Sequence, residues 1–383
     1  MKLAIIADLH LGSKDIGDGR WKQRALKEVV IPALRQHQVQ NVIFAGDTLD
    51  FQGSSSSSAQ KPELLRYAAD QLAGASAKTF LLMGNHDDVE SCQFFQYMGG
   101  PRIIRDDWVS LHDQAGAYLM APRQDALQAR SAIEQVDISA FSSRILVLHE
   151  DLNVFHDGGF LAAACKKFQL VVNGHNHVFR PSREGVYLLP ACLPWKARVG
   201  SQCDLTVSRE LNGSLTLESC DAIPWGFVVV GDDLLPQFVA VDCGVKIAIC
   251  TVEASEQEMD QALRQTLDLL VAKDKHKEMV VRLYVSPRPK GELETGLLGT
   301  YGNKFLDLRF VAFQGAGAIA RNVRERLPTE QAALEYVRTQ HGEWARQMVE
   351  QLSPFFQLRS PRNRKDDILE IIKSCVPEGR KHE

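Results

Sequence analysis

The 383-residue sequence predicts an α/β protein: a layered sheet unit first, then a smaller α+β unit, then C-terminal helices. Three observations predict it. Short apolar runs alternate with amphipathic stretches through the first half, the texture of strands covered on both faces. After residue 185 the texture turns β-rich, and near Val245 a β-α-β pattern starts afresh. At about 150 residues per domain, the length suits two domains with a tail.

Residues 3–7, 41–45, 79–83, 145–148 and 170–172 read as strands because each is apolar at consecutive positions. Residues 21–36 and 62–72 read as helices between them. Further on, 204–207 and 214–218 flank Asn212-Gly213, a strong hairpin signal. Residues 246–252 read as a strand, and Ser255 with Glu258 makes a capping-box pattern that opens a helix to about Lys273. Strands are expected again at 279–285 and 306–313. Residues 329–352 read as a helix with a weak point at Gly342, and 365–374 as a short amphipathic helix. A basic linker, 359–365, joins the two, and 54–58 is a run of serines. The expected units are therefore 1–243, 244–327 and 328–383.

Composition excludes several classes. With 45% hydrophobic and 24% charged residues, the chain is neither disordered, nor collagen-like, nor a disulfide scaffold. Lys and Arg number 44 against 48 Asp and Glu, so the formal charge of −4 advertises no polyanion partner, and any nucleic-acid surface must be a local patch. The eight cysteines are scattered without a C-x-x-C, which fits buried thiols in a reducing compartment. The apolar start, 1–7, is stopped by Asp8 and is too short for a signal-peptide core. No run of about 20 apolar residues occurs, so no membrane span is expected and the cytoplasm is the expected compartment.

The chemistry sits where the strands end. Asp8-Leu9-His10 follows the first strand and Gly46-Asp47-Thr48-Leu49-Asp50 the second. Gly84-Asn85-His86-Asp87 follows the third, His149-Glu150-Asp151 the fourth, and Gly174-His175-Asn176-His177 the fifth. Ligands gather outside the carboxyl ends of strands in open α/β sheets, so these segments should converge on one crevice. Carboxylate, imidazole and amide donors together suit divalent ions such as Mn²⁺, Fe²⁺ or Zn²⁺, and no cysteine joins the set. Each motif alone is weak; their joint order, with five of the eleven histidines among them, points to a two-metal site.

The set D-x-H, G-D, G-N-H-[DE], H and G-H-x-H resembles the signature of the calcineurin-like metallophosphoesterases. That resemblance implies a sandwich of two mixed sheets flanked by helices. It implies one ion on Asp8, His10 and His177, another on Asn85, His149 and His175, and Asp47 bridging them. It also implies His86 as the acid that protonates the leaving oxygen. Asp87 and Asp50 are expected to orient imidazoles, a turn-stabilising role being the alternative for Asp50.

Within that family, Asp50 is followed by Phe51-Gln52-Gly53 without an arginine, unlike the protein phosphatases. The opening Asp8-Leu9-His10-Leu11-Gly12, the later Pro194-Trp195 and the order of units resemble the nuclease subunit of SbcCD-type DNA repair complexes and the T-even phage recombination endonuclease subunit. This implies a Mn²⁺-dependent DNA exo/endonuclease in repair or recombination, with the 244–327 unit capping the site. It further implies a homodimer, with the C-terminal helices docking on an SbcC-like, SMC-type coiled-coil ATPase. Lys14 and Arg180, a few residues beyond metal motifs, are expected phosphate contacts. The alternative is a phosphodiesterase or phosphatase acting on a small nucleotide.

Overall fold

A computed structural model describes residues 1–311 apart from 18, 52–59, 76, 176, 178–179, 195–202, 221–224, 274–277, 288 and 290. The chain divides into Met1–Ala316 and Gly317–Glu383. The helices expected at 329–352 and 365–374, the basic linker and the serine run lie outside the described residues.

The first unit holds three mixed or largely parallel sheets flanked by helices, a mixed α/β architecture. The first sheet runs Pro236–Ala240, Gly226–Val230, Leu3–Ile6, Asn41–Ala45, Lys78–Leu82, Arg102–Ile103. Its four N-terminal strands are parallel, and Gly226–Val230 joins Leu3–Ile6 antiparallel. The second sheet runs Asp107–His112, Ala115–Leu119, Ser143–Leu148, Leu170–Asn173, Val186–Leu188, Arg180–Arg183, with antiparallel pairs only at its edges.

The consecutive apolar runs are explained by burial on both faces. Alternate residues Leu3, Ile5, Ile43, Ala45 and Leu82 of the first sheet share one core with Ala117, Leu119, Ile145, Val147 and Val172 of the second. The opposite positions Ala4, Ile6, Val42 and Phe44 are also fully buried. On the far side of the second sheet, Leu146, Leu148 and Val171 pack with the helices Ala126–Gln135 and Gly158–Lys167. The helix expected at 21–36 forms with a π-turn at Leu26–Val30, between Arg20–Ala25 and Ile31–Gln36. Pro32 follows that turn; its ring removes one helical donor, a common cause of such an irregularity.

The third sheet runs Leu215–Ser219, Leu205–Arg209, Lys246–Glu253, Met279–Ser286, Asp307–Val311. Only the first pair is antiparallel. Ala248, Cys250, Val281 and Leu283 bury one face against Leu263, Leu267 and Leu270 of helix Met259–Lys273 and Leu297 of helix Gly291–Tyr301. The chain enters this sheet twice. It supplies the hairpin 205–219, returns to the first sheet for 226–240, and comes back at Lys246. Ser255 and Glu258 meet as expected of a cap, though side chain to side chain, Oγ donating to the carboxylate at 3.0 Å.

Two arginines pin the third sheet to the loop after the first strand. Arg282, buried on the strand Met279–Ser286, donates to the Asp15 carbonyl at 2.7 Å and to Asp307 at 2.6 Å. Arg309 donates to the Lys14 carbonyl at 2.8 Å. Among the described residues no helix is long and apolar enough to cross a membrane. Replacing Arg282 with Met is expected to lower stability by roughly 1–3 kcal/mol in urea unfolding, because it removes the donor to the Asp15 carbonyl and leaves Asp307 paired with Arg309 alone. A loss below about 0.5 kcal/mol would show that the pair does not hold the sheet in place.

Candidate metal centre

The five motif loops come from both halves of the sandwich. Three leave the first sheet after Leu3–Ile6, Asn41–Ala45 and Lys78–Leu82; two leave the second after Ser143–Leu148 and Leu170–Asn173. All meet at the carboxyl ends of these parallel strands, on the seam between the sheets. Asn173 ties the last two loops together: its amide oxygen accepts from Glu150 N at 2.7 Å, and its amide nitrogen donates to Glu150 O at 2.9 Å.

Two groups of side chains form, and a third, His10 with Asp50 and His86, overlaps one of them at His10. Ligand atoms of Asp8, His10 and His177 lie within 4.8 Å of one another, as do those of Asp47, His149 and His175. Asp8 Oδ1 stands 3.1 Å from His177 Nε2 and 3.9 Å from His10 Nε2. Asp47 Oδ2 stands 3.2 Å from His149 Nε2 and 3.9 Å from His10 Nε2, so this one oxygen sits between the groups. Asn85 Oδ1 completes the second group, 3.3 Å from His149 Nε2 and 3.1 Å from His175 Nδ1.

Outer hydrogen bonds aim the rings. His149 Nδ1 donates to the Ala45 carbonyl at 2.8 Å, which turns Nε2 inward. His175 places Nε2 on Asp151 at 2.8 Å, which turns Nδ1 inward. Asp50 lies 3.4 Å from His10 Nδ1 and 3.4 Å from His86 Nδ1, so one carboxylate serves both rings. Asp87 is placed differently from expectation. Its carboxylate accepts from the amides of Leu49 at 2.7 Å, Gly84 at 2.8 Å and Thr48 at 3.3 Å, and so ties two loop backbones rather than a ring. Lys14 lines a cavity beside the cluster. Arg180 lies exposed at the edge of the second sheet, and among the described residues no contact joins it to the cluster.

The backbone is strained where the donors converge. Of the eight non-glycine residues with positive φ among those described, five are Asp8, His10, Asp47, His175 and His177. Each such conformation costs on the order of 1–3 kcal/mol and persists only where the surroundings over-determine it. Glycines make the remaining room. A Cβ on Gly46 would run into the His149 ring, and one on Gly84 into Asp47.

The electrostatics favour a cation. Burial opposes ionisation of Asp8, but His177, His149 and His10 together hold its carboxyl below the usual range. Burial likewise opposes Asp47, and His149, His10 and the His86 amide outweigh it. Burial would also discharge His149, yet Asp47 and Asp8 push its imidazolium up to about 9. His10, buried beside Lys22, falls to about 4. Ionised carboxylates, imidazoles and one amide oxygen in two tight groups form a donor set that fits divalent ions of borderline hardness.

Two residues that the motifs did not flag take part. Lys22 is 1% exposed, and its ammonium donates to the carbonyls of His10 at 2.9 Å and Leu9 at 3.3 Å. It braces the strained turn that carries His10; a lysine on the buried stripe of the helix beside Trp21 and Ala25 was its signal. Asp151 was in plain view in the His149 motif, but only the fold shows which ring it faces. Lys22→Met keeps the stem and removes both hydrogen bonds. It is expected to cost roughly 1–3 kcal/mol in urea unfolding and to weaken Mn²⁺ binding, read by titration calorimetry; unchanged values in both would remove Lys22 from the site's support.

No curated protein matches the chain significantly. The family profile of the calcineurin-like phosphoesterases matches residues 1–179, a segment that carries every member of both groups. Members of that family hydrolyse phosphoester bonds and bind divalent metals. Over residues 1–179, just under half of its length, the chain is similar to the calcineurin-like phosphoesterases.

Proposed function

We propose that the chain is a two-metal phosphodiesterase that cleaves DNA. The observation that carries the two-metal reading is the Asp47 carboxylate between two clusters of donors. Asp8, His10 and His177 would hold one divalent ion; Asn85, His149 and His175 would hold the other, with Asp47 shared. Ions bound there supply Lewis-acid stabilisation of charge on the phosphoryl oxygens and lower the pKa of water at the site.

The protein's own part is orientation and proton transfer. Asp47 Oδ1 accepts from the His86 amide at 2.8 Å, so the loop bearing His86 is anchored to the shared carboxylate. Asp50 holds His86 Nδ1, and Nε2 is the nitrogen assigned to deliver a proton to the leaving oxygen. Asp50 also faces His10, which couples the acid to one metal ligand through a single carboxylate.

DNA is favoured as substrate by the Asp8–Gly12 opening and by the third sheet, whose Arg282 and Arg309 hold the loop directly beyond it. In this reading Mn²⁺ is the working metal, the third sheet caps the site, and a coiled-coil ATPase and a second copy of the chain complete the machine.

The purified chain with Mn²⁺ is expected to degrade linear single- or double-stranded DNA, with Asp47→Ala inactive and chelation abolishing activity. Hydrolysis of a small nucleotide ester with DNA left intact would overturn the nuclease reading. His86→Ala is expected to slow DNA cleavage by about 10²–10⁴-fold. The same variant should lose much less on a nitrophenyl phosphodiester, whose leaving group needs no proton. An equal loss on both substrates would remove His86 as the acid.

A further inference from the structure

A cavity of about 760 Å³ opens between the Gly12–Gly19 loop and the helix Gln60–Ala73. It adjoins the metal centre. Gly12 stands two residues beyond His10, Phe51 directly follows Asp50, and the Asp50 amide donates to the Leu11 carbonyl at 2.8 Å. The Phe51 ring lies so close against Gly12 that no side chain fits at position 12, where φ is 95°. Lys61 Nζ lies over that ring, 4.9 Å from its centroid and 3.4 Å from Asp88.

The lining is two-sided in character. Lys14, Arg20 and Lys61 are its cations, against the single carboxylate Glu63. Phe51, Leu64 and Tyr67 give it an apolar and aromatic wall. In a chain of formal charge −4 this is a local reversal of sign, at the place where a substrate leaving the metal centre would run. Its volume lies in the range of pockets that enclose whole small ligands, about 300–1,000 Å³, well beyond one phosphodiester group. Cations that track a backbone beside aromatic surface are how proteins hold single-stranded nucleic acid.

We propose that this cavity is a strand-binding subsite that holds the nucleotide next to the scissile phosphodiester of a single-stranded DNA substrate. Lys14 and Arg20 meet its phosphate, and the Leu64–Tyr67 wall meets its sugar and base. The proposal rests on the nuclease reading for the identity of the strand, and is tested apart from cleavage.

The test is fluorescence anisotropy of a short labelled single-stranded DNA with the full chain in EDTA, across a salt series. Lys14 and Arg20 are exposed, so Lys14→Ala and Arg20→Ala should fold, and a melting curve checks it. Each is expected to weaken binding about threefold to tenfold, and to reduce the salt slope by about 0.7, the value for one phosphate left without its cation. Arg105→Ala, at an exposed arginine outside the cavity, is the control and should bind as wild type does. Binding and slope in the two cavity variants equal to those of Arg105→Ala would overturn the subsite. A wild-type chain that binds through Lys14 and Arg20 but leaves DNA intact with Mn²⁺ would overturn the nuclease reading and keep the subsite. A chain that cleaves DNA with no dependence on either residue would do the reverse.

Discussion

A carboxylate buried on the seam of two sheets must be matched by positive charge, and the rest of the structure is arranged around that need. Asp47 is 2% exposed and faces imidazoles from both sheets. Asp8, fully buried, stands in the same relation to His10 and His177. A lone buried carboxylate would be protonated rather than tolerated. Here the neighbouring imidazoles keep both ionised, and the geometry suits divalent cations in the same place. Folding and binding are thereby linked, because the same charges that burden the metal-free protein are the ones a metal would satisfy.

That arrangement explains where the protein accepts strain. Loops from five strand ends converge here, and in three of them the donors are reached through left-handed turns. Asp8, His10, Asp47, His175 and His177 take up left-handed geometry, with glycines only where a side chain would collide. Lys22 from below and Asn173 from the side hold the turns in that shape. The layered core between the sheets is the rigid base against which this strain is stored.

The clustering of the motif residues was legible in the sequence because each motif follows an apolar run and the five occur in order. Strand positions such as 41–45 and 170–172 were legible for the same reason: both faces are buried, so apolarity is continuous. What the residues alone did not reveal was the partition into two sheets. Strands buried on both faces look alike whichever sheet they join, and Asp107–His112, alternately exposed and buried, is broken by charged and polar positions. The return of 226–240 to the first sheet was hidden because strand pairing at that range leaves no local trace. Asp87 looked like a partner for a ring because it adjoins His86, yet three backbone amides claim it. Asp151 depends on where the chain folds back, which no spacing encodes, and Lys22 showed only as a lysine on the buried stripe of its helix.

The third sheet matters to the site through one loop. Arg282 and Arg309 grip the carbonyls of Asp15 and Lys14, a few residues beyond His10, so the small sheet fixes the loop that leads away from the metal centre. Donor cluster, cavity and third sheet thus share the segment from Asp8 to Gly19. All of it turns on the shared carboxylate, and Mn²⁺ stoichiometry by titration calorimetry tests that carboxylate most directly. Two ions should bind per chain, with tight binding of both lost in Asp47→Ala. One ion or none in the wild type, or binding that survives the loss of Asp47, would contradict the shared-carboxylate centre.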